Sequence, residues 1–135
     1  MLACLGAYLA SGLAFIAADL GWLAVTGPRL YRPVLGPLLA DRVNGAAAVA
    51  FYLIYLAGVQ VLAVSPSLRE GDLRSAALRG LVLGVVAYGT YDLTNQATLR
   101  AWATRLTVAD MLWGGLLTAF AAGVGFLGAQ RLAAP

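Results

Sequence analysis

Residues 2–25 read LACLGAYLASGLAFIAADLGWLAV, an apolar run interrupted by a single charge, Asp19. A helix that crosses a membrane needs about 20 mostly apolar residues, and this run supplies them. Three further runs follow at residues 46–64, 76–93 and 108–128. None alternates apolar and polar residues as an outer-membrane strand does. The pattern predicts an all-α, polytopic integral membrane protein. Its four transmembrane helices form one compact bundle that fills the single domain 1–135. The first run lacks a basic leader, is long for a signal peptide and contains Asp19, so it is expected to be retained. An even number of crossings puts both termini at one end of the bundle; the other is called the distal end below.

Composition agrees and removes several chemistries. Of 135 residues, 61% are hydrophobic and 11% charged, against roughly a quarter charged in a soluble domain. A soluble chain of this size cannot bury so much apolar surface. All nine cations are Arg, with no Lys or His, and Cys4 is the single cysteine. That excludes His-ligated haem or zinc, a Ser-His-Asp triad, a Lys Schiff base and an intramolecular disulfide. No Walker loop and no dinucleotide fingerprint is present. No metal, cofactor or nucleic-acid partner is expected, no catalytic residue is nominated, and the chain is read as leaning away from an enzyme. The Arg residues lie at helix ends, which suits anionic lipid headgroups.

The connection after the first helix, residues 26–45, is the longest. Pro28, Pro33 and Pro37 are expected to prevent one continuous helix through it. Val34, Leu35, Leu38, Leu39 and Val43 recur at helical spacing, which predicts a short helix in the headgroup plane. The Arg tally is four at the termini's end (Arg69, Arg74, Arg79, Arg131) and five at the distal end (Arg29, Arg32, Arg42, Arg100, Arg105). It fixes no orientation under the positive-inside rule. Either the insertion machinery reads something beyond this tally, or two copies pair antiparallel.

Three acids lie in or beside the apolar runs. Asp19 is near the end of the first helix, Asp92 near the end of the third, and Asp110 near the start of the fourth. Segment order alone therefore places all three at the distal end. Asp19 and Trp22 share a helix face, as do Asp110 and Trp113. Tyr88, Tyr91, Asp92 and Asn95 follow the i, i+3, i+4, i+7 rule and form one stripe. Tyr52 reaches toward it from the second helix. Tyr31 and Arg32 are placed to cover the cluster. One reading is a structural network in which Trp, Tyr and Asn, or Arg29, Arg32, Arg100 and Arg105, partner the acids. The other is a ligand pocket formed by Asp19, Trp22, Tyr52, Tyr91, Asp92, Asn95, Asp110 and Trp113. Gln60 is expected to bond across the bundle. Gly80 with Gly84, and Gly115 with Ala119 and Gly123, read as close-packing seams.

The segment Ala87-Tyr88-Gly89-Thr90-Tyr91-Asp92-Leu93-Thr94-Asn95, followed by Ala97-Thr98-Leu99 and Trp102, resembles the bacterial membrane proteins catalogued as domain of unknown function 2177. The likeness extends through Asp19 and Trp22, Tyr31-Arg32, Asn44, Phe51-Tyr52, Tyr55, Thr107, Asp110 and Trp113-Gly114. It implies a four-helix inner-membrane protein and no particular activity. Two functions are in view. One is a small binding or carrier protein for a lipid-like ligand or cation. The alternative is an accessory subunit of a larger respiratory or photosynthetic membrane complex. Membrane lipid is the expected partner, with a homodimer or a larger membrane protein complex also in view.

Overall fold

The computed structural model describes residues 2–133. Within them α1 spans Leu2–Thr26, α2 Arg32–Leu35, α3 Gly45–Val59, α4 Ser65–Glu70, α5 Leu73–Thr98 and α6 Thr104–Ala133. A π-helical turn, Gly27–Tyr31, joins α1 to α2, and a second, Gln60–Val64, joins α3 to α4. Three helical runs are long and apolar enough to cross a membrane: Cys4–Leu38, Gly45–Glu70 and Thr104–Leu132. The fourth long helix, α5, has 26 residues but carries more polar groups.

No single α-helix runs through the connection, in line with the three prolines, yet helical turns of changing type carry the first run on to Leu38. Each falls in the first turn of its own piece: Pro28 in the π turn, Pro33 in α2, and Pro37 in a 3-10 turn over Gly36–Leu38. Each missing N–H interrupts the backbone ladder at a junction where the turn type changes. The wider π turn also makes room for a ring that would collide with the carbonyl four residues back. Pro66 follows the second π turn in the same way. Side chains stabilise both junctions. The Thr26 hydroxyl donates to the Trp22 carbonyl at 2.7 Å, and the Ser67 hydroxyl to that of Ala63 at 2.8 Å.

The short helix expected across Val34–Val43 is cut down. Helical geometry stops at Leu38, and Leu39 is extended. Val34 and Leu35 bury against Leu106, with Trp102 and Ala103 alongside, so they pack on the start of α6. Leu38, Leu39 and Val43 are exposed. Helical spacing identified the apolar positions, but Gly36-Pro37 breaks the period between them. The chain re-enters a helix at Asn44, whose side-chain oxygen accepts from the Ala47 N–H at 3.2 Å, a normal N-cap.

The central helix is α6, with α5 and α1 packed along it. Close approach explains this. A Cβ on Gly80 would stand 2.7 Å from the Thr118 carbonyl oxygen, and one on Gly84 would enter the Gly114 backbone itself. Lipid tails are as apolar as Leu, so dispersion at such close-packed seams holds membrane helices together. On the other face of α6, Phe15 and Leu56 bury against Leu117 and Ala121. By contrast α3 turns Val49, Phe51, Leu53 and Ile54 outward. Gln60 bonds locally to the Ser65 hydroxyl at 3.3 Å rather than across the bundle. The π turn carries its side chain toward Ser65, five residues on.

Candidate functional site

The distal ends of α1, α3 and α6, with the first π turn, meet in one hydrogen-bonded cluster. Asp19, 8% exposed, accepts from the Tyr52 hydroxyl at 3.0 Å and from Trp113 Nε1 at 3.4 Å. One turn further along α1, Trp22 Nε1 donates to the Tyr31 hydroxyl at 2.9 Å. Tyr31 in turn donates to Asp110, which is 7% exposed. The indoles of Trp22 and Trp113 lie face to face, centroids 4.5 Å apart and planes within 6°. The two Asp-x-x-Trp pairs are thereby crossed. The indole beside Asp110 serves Asp19, and the indole beside Asp19 reaches Asp110 through Tyr31.

Asp92 differs. It is 0% exposed, and neither carboxyl oxygen has a hydrogen-bond partner among the described residues. It stands close enough to Asp110 and Tyr31 to act on both electrostatically. The polar groups above it are already engaged with one another. Trp102 Nε1 donates to the Thr107 hydroxyl at 2.9 Å, Thr107 donates to Gln96 at 2.6 Å, and the Gln96 amide donates to Thr104 at 2.9 Å.

Magnitudes separate the acids. A charged Asp costs about 2.5–3.5 kcal/mol near the middle of a bilayer and less toward its faces. A hydrogen bond to a charged group returns about 1.5–3 kcal/mol. Two donors on Asp19 and one on Asp110 offset much of that; nothing offsets Asp92. The Arg partners expected for these acids do not form. Among the described residues the ion pair is Arg79 with Glu70, at 2.7 Å, far along the chain from the cluster. Tyrosine and tryptophan supply short, rigid donors from neighbouring helices, while the distal Arg residues stand at helix ends in reach of water.

Beside this cluster a cleft of about 450 Å³ opens between α3 and α5. Phe51, Tyr55, Ala87, Tyr88, Tyr91 and Asp110 line it. Tyr55 is fixed by a 2.8 Å hydrogen bond with Thr118. Tyr88 is pressed onto Gly114 and meets Tyr55 edge-on at 6.4 Å. These two rings are therefore the anchored part of the wall. Tyr91, 56% exposed, stands at the mouth with its ring edge-on to Trp102.

Of the eight residues nominated from sequence, Asp19, Trp22, Tyr52, Asp110 and Trp113 join one network, and Asp92 stands against it. Tyr91 belongs to the cleft mouth. Asn95 is half-buried and makes no side-chain hydrogen bond among the described residues. Sequence reasoning placed Tyr31 only as a cover, whereas it is the bridge to Asp110. It also left Tyr88 in the stripe without nominating it; the spacing Tyr88–Asp92, one helical turn, was the available signal.

A family model described as "Predicted membrane protein (DUF2177)" matches residues 4–127. The chain belongs to that family. All the cluster and cleft residues fall inside the DUF2177 match. No curated protein and no solved structure matches the chain. Among the described residues no three His, Cys, Asp or Glu are grouped so as to hold a metal ion.

Proposed function

We propose that the chain is a four-crossing protein of the bacterial inner membrane that holds a small, lipid-like ligand in the α3–α5 cleft. The observation that carries this is the cleft itself. Its volume suits a small molecule, its walls are largely aromatic, and its lining includes an acid, Asp110, in a cluster that also holds the unpartnered Asp92. Two further facts support the membrane arrangement. At 1.5 Å per residue, α5 is about 39 Å long, enough for a hydrocarbon core of about 30 Å. Its exposed hydroxyls are satisfied within the helix, Thr90 donating to the Val86 carbonyl at 2.7 Å and Thr98 to that of Thr94 at 2.8 Å, which lowers the penalty of meeting lipid.

The test is saturable binding of a pyrene-labelled long-chain alcohol to the purified chain in maltoside micelles, comparing wild type with Ala87→Trp. Ala87 lies on the cleft wall, so an indole there fills the space. The reading expects one site per chain and at least tenfold weaker binding in the variant, with melting temperature within a few degrees. Equal, non-saturating uptake by both proteins contradicts it.

A further inference from the structure

We infer, resting on the cleft reading above, that the occupant is a membrane-dissolved amphiphile with an ammonium head group. The head lies at Asp110, and the tail runs toward the termini's end of the bundle along α5.

The first ground is charge. One oxygen of Asp110 receives the Tyr31 hydroxyl, leaving the other oxygen without a donor among the described residues. Asp92 of the same cluster is fully buried with both oxygens unpartnered among the described residues. Asp19 is the third carboxyl of the cluster, and no Arg forms an ion pair with any of the three among the described residues. Buried carboxylates are stable when paired with a cation. A phosphate or carboxylate head would set a negative group among three carboxyls in a low-dielectric site, where like charges repel most strongly. An ammonium head supplies the missing charge and donates hydrogen bonds, and charged hydrogen bonds are the stronger kind.

The second ground is the walls. Phe51 and Tyr55 lie nearly parallel, 26° apart with centroids at 5.4 Å, and Tyr88 meets Tyr55 at 76°. Aromatic faces attract an ammonium through their quadrupole, more strongly where water is excluded.

The third ground is the shape of what adjoins. A second cavity of about 450 Å³ lies along α5, its walls Leu62, Leu78, Val82, Leu83 and Val86, with Arg79 its one charged lining residue. It reaches Val86, next to Ala87 of the cleft wall. Leu83 of this cavity and Ala87 of the cleft stand one helical turn apart on α5, a spacing that puts them on one face and fits a long molecule lying along the helix.

The experiment is displacement of the pyrene alcohol from the full chain by dodecylamine, dodecanol and dodecanoate. Dodecylamine should bind at least tenfold more tightly than dodecanol, and dodecanoate most weakly. Asp110→Asn should bring the amine to the level of the alcohol while leaving the alcohol unchanged. Asp92→Asn, which removes no hydrogen bond, should reduce the preference in the same direction and covers the case in which Asp110→Asn fails to fold. Ala87→Trp should abolish displacement by all three, which separates the site from partition into micelles. Dodecanoate binding as tightly as dodecylamine, or an amine preference untouched by both Asp variants, overturns the head-group inference and leaves the cleft. Failure of all three probes with wild type overturns the cleft reading itself.

Discussion

Trp22 and Trp113 stack in parallel, centroids 4.5 Å apart, and each has an aspartate three residues earlier that the other indole serves, Trp113 donating directly to Asp19 and Trp22 donating to Tyr31, which donates to Asp110. The pair is the clasp between the distal ends of α1 and α6. It links chain pattern to tertiary structure, because Asp-x-x-Trp puts acid and indole on one helix face. Opposed helices then bring the two faces together.

This clasp should show energetic coupling. A double-mutant cycle of Trp22→Phe and Trp113→Phe, read by steric trapping in bicelles, removes both indole N–H donors while keeping rings. Each single change leaves a buried oxygen short of a donor, at about 1–3 kcal/mol. The double variant should depart from additivity by about 0.5–1.5 kcal/mol, the range for aromatic pairs. Strict additivity would mean that the two indoles act independently.

The α5–α6 seam makes a sharper prediction. Gly84→Ala drives a methyl into the Gly114 backbone, which has no flexible end to yield. The loss should be about 1–3 kcal/mol, as for overpacking. Gly58→Ala, on α3 with nothing within 4 Å of the added carbon, should be neutral or stabilise by up to about 1 kcal/mol through helix propensity. Denaturation of both variants in mixed micelles distinguishes them, and equal effects would show that α5 and α6 are not in close contact there.

Asp92 should behave as a functional group held against stability. Asp92→Leu removes a buried acid with no partner, so the bundle should gain about 1–3 kcal/mol. Asp19→Leu should instead lose stability, because Tyr52 and Trp113 lose their acceptor. The opposite signs of the two substitutions, measured in the same folding assay, are the diagnostic. A loss at Asp92 equal to that at Asp19 would indicate a purely structural acid.

Much of this was legible before any coordinates. Apolar runs set by bilayer thickness predict the long helices. The order of segments brings Asp19, Asp92 and Asp110 to one end, whatever the absolute orientation. The partners were not legible, because they depend on helix rotation and on the course of one connection. Tyr31 reaches Asp110 only because the chain stays helical through Pro28, by a change of turn type that proline content alone does not reveal. The cleft was not legible either. It arises where α3 stands off from α5, a gap between helices that leaves no periodic signature. The Gly80–Gly84 seam, by contrast, was readable as a pattern, since only small residues permit such an approach.

The central claim is that the cleft is an occupied ligand site, and native mass spectrometry of the chain extracted from its own membrane in gentle detergent tests it most directly. Wild type should carry one amphiphile per chain that survives delipidation better than bulk lipid, and Ala87→Trp should be bare under the same conditions. The same adducts on both proteins, or none on either, would contradict the account.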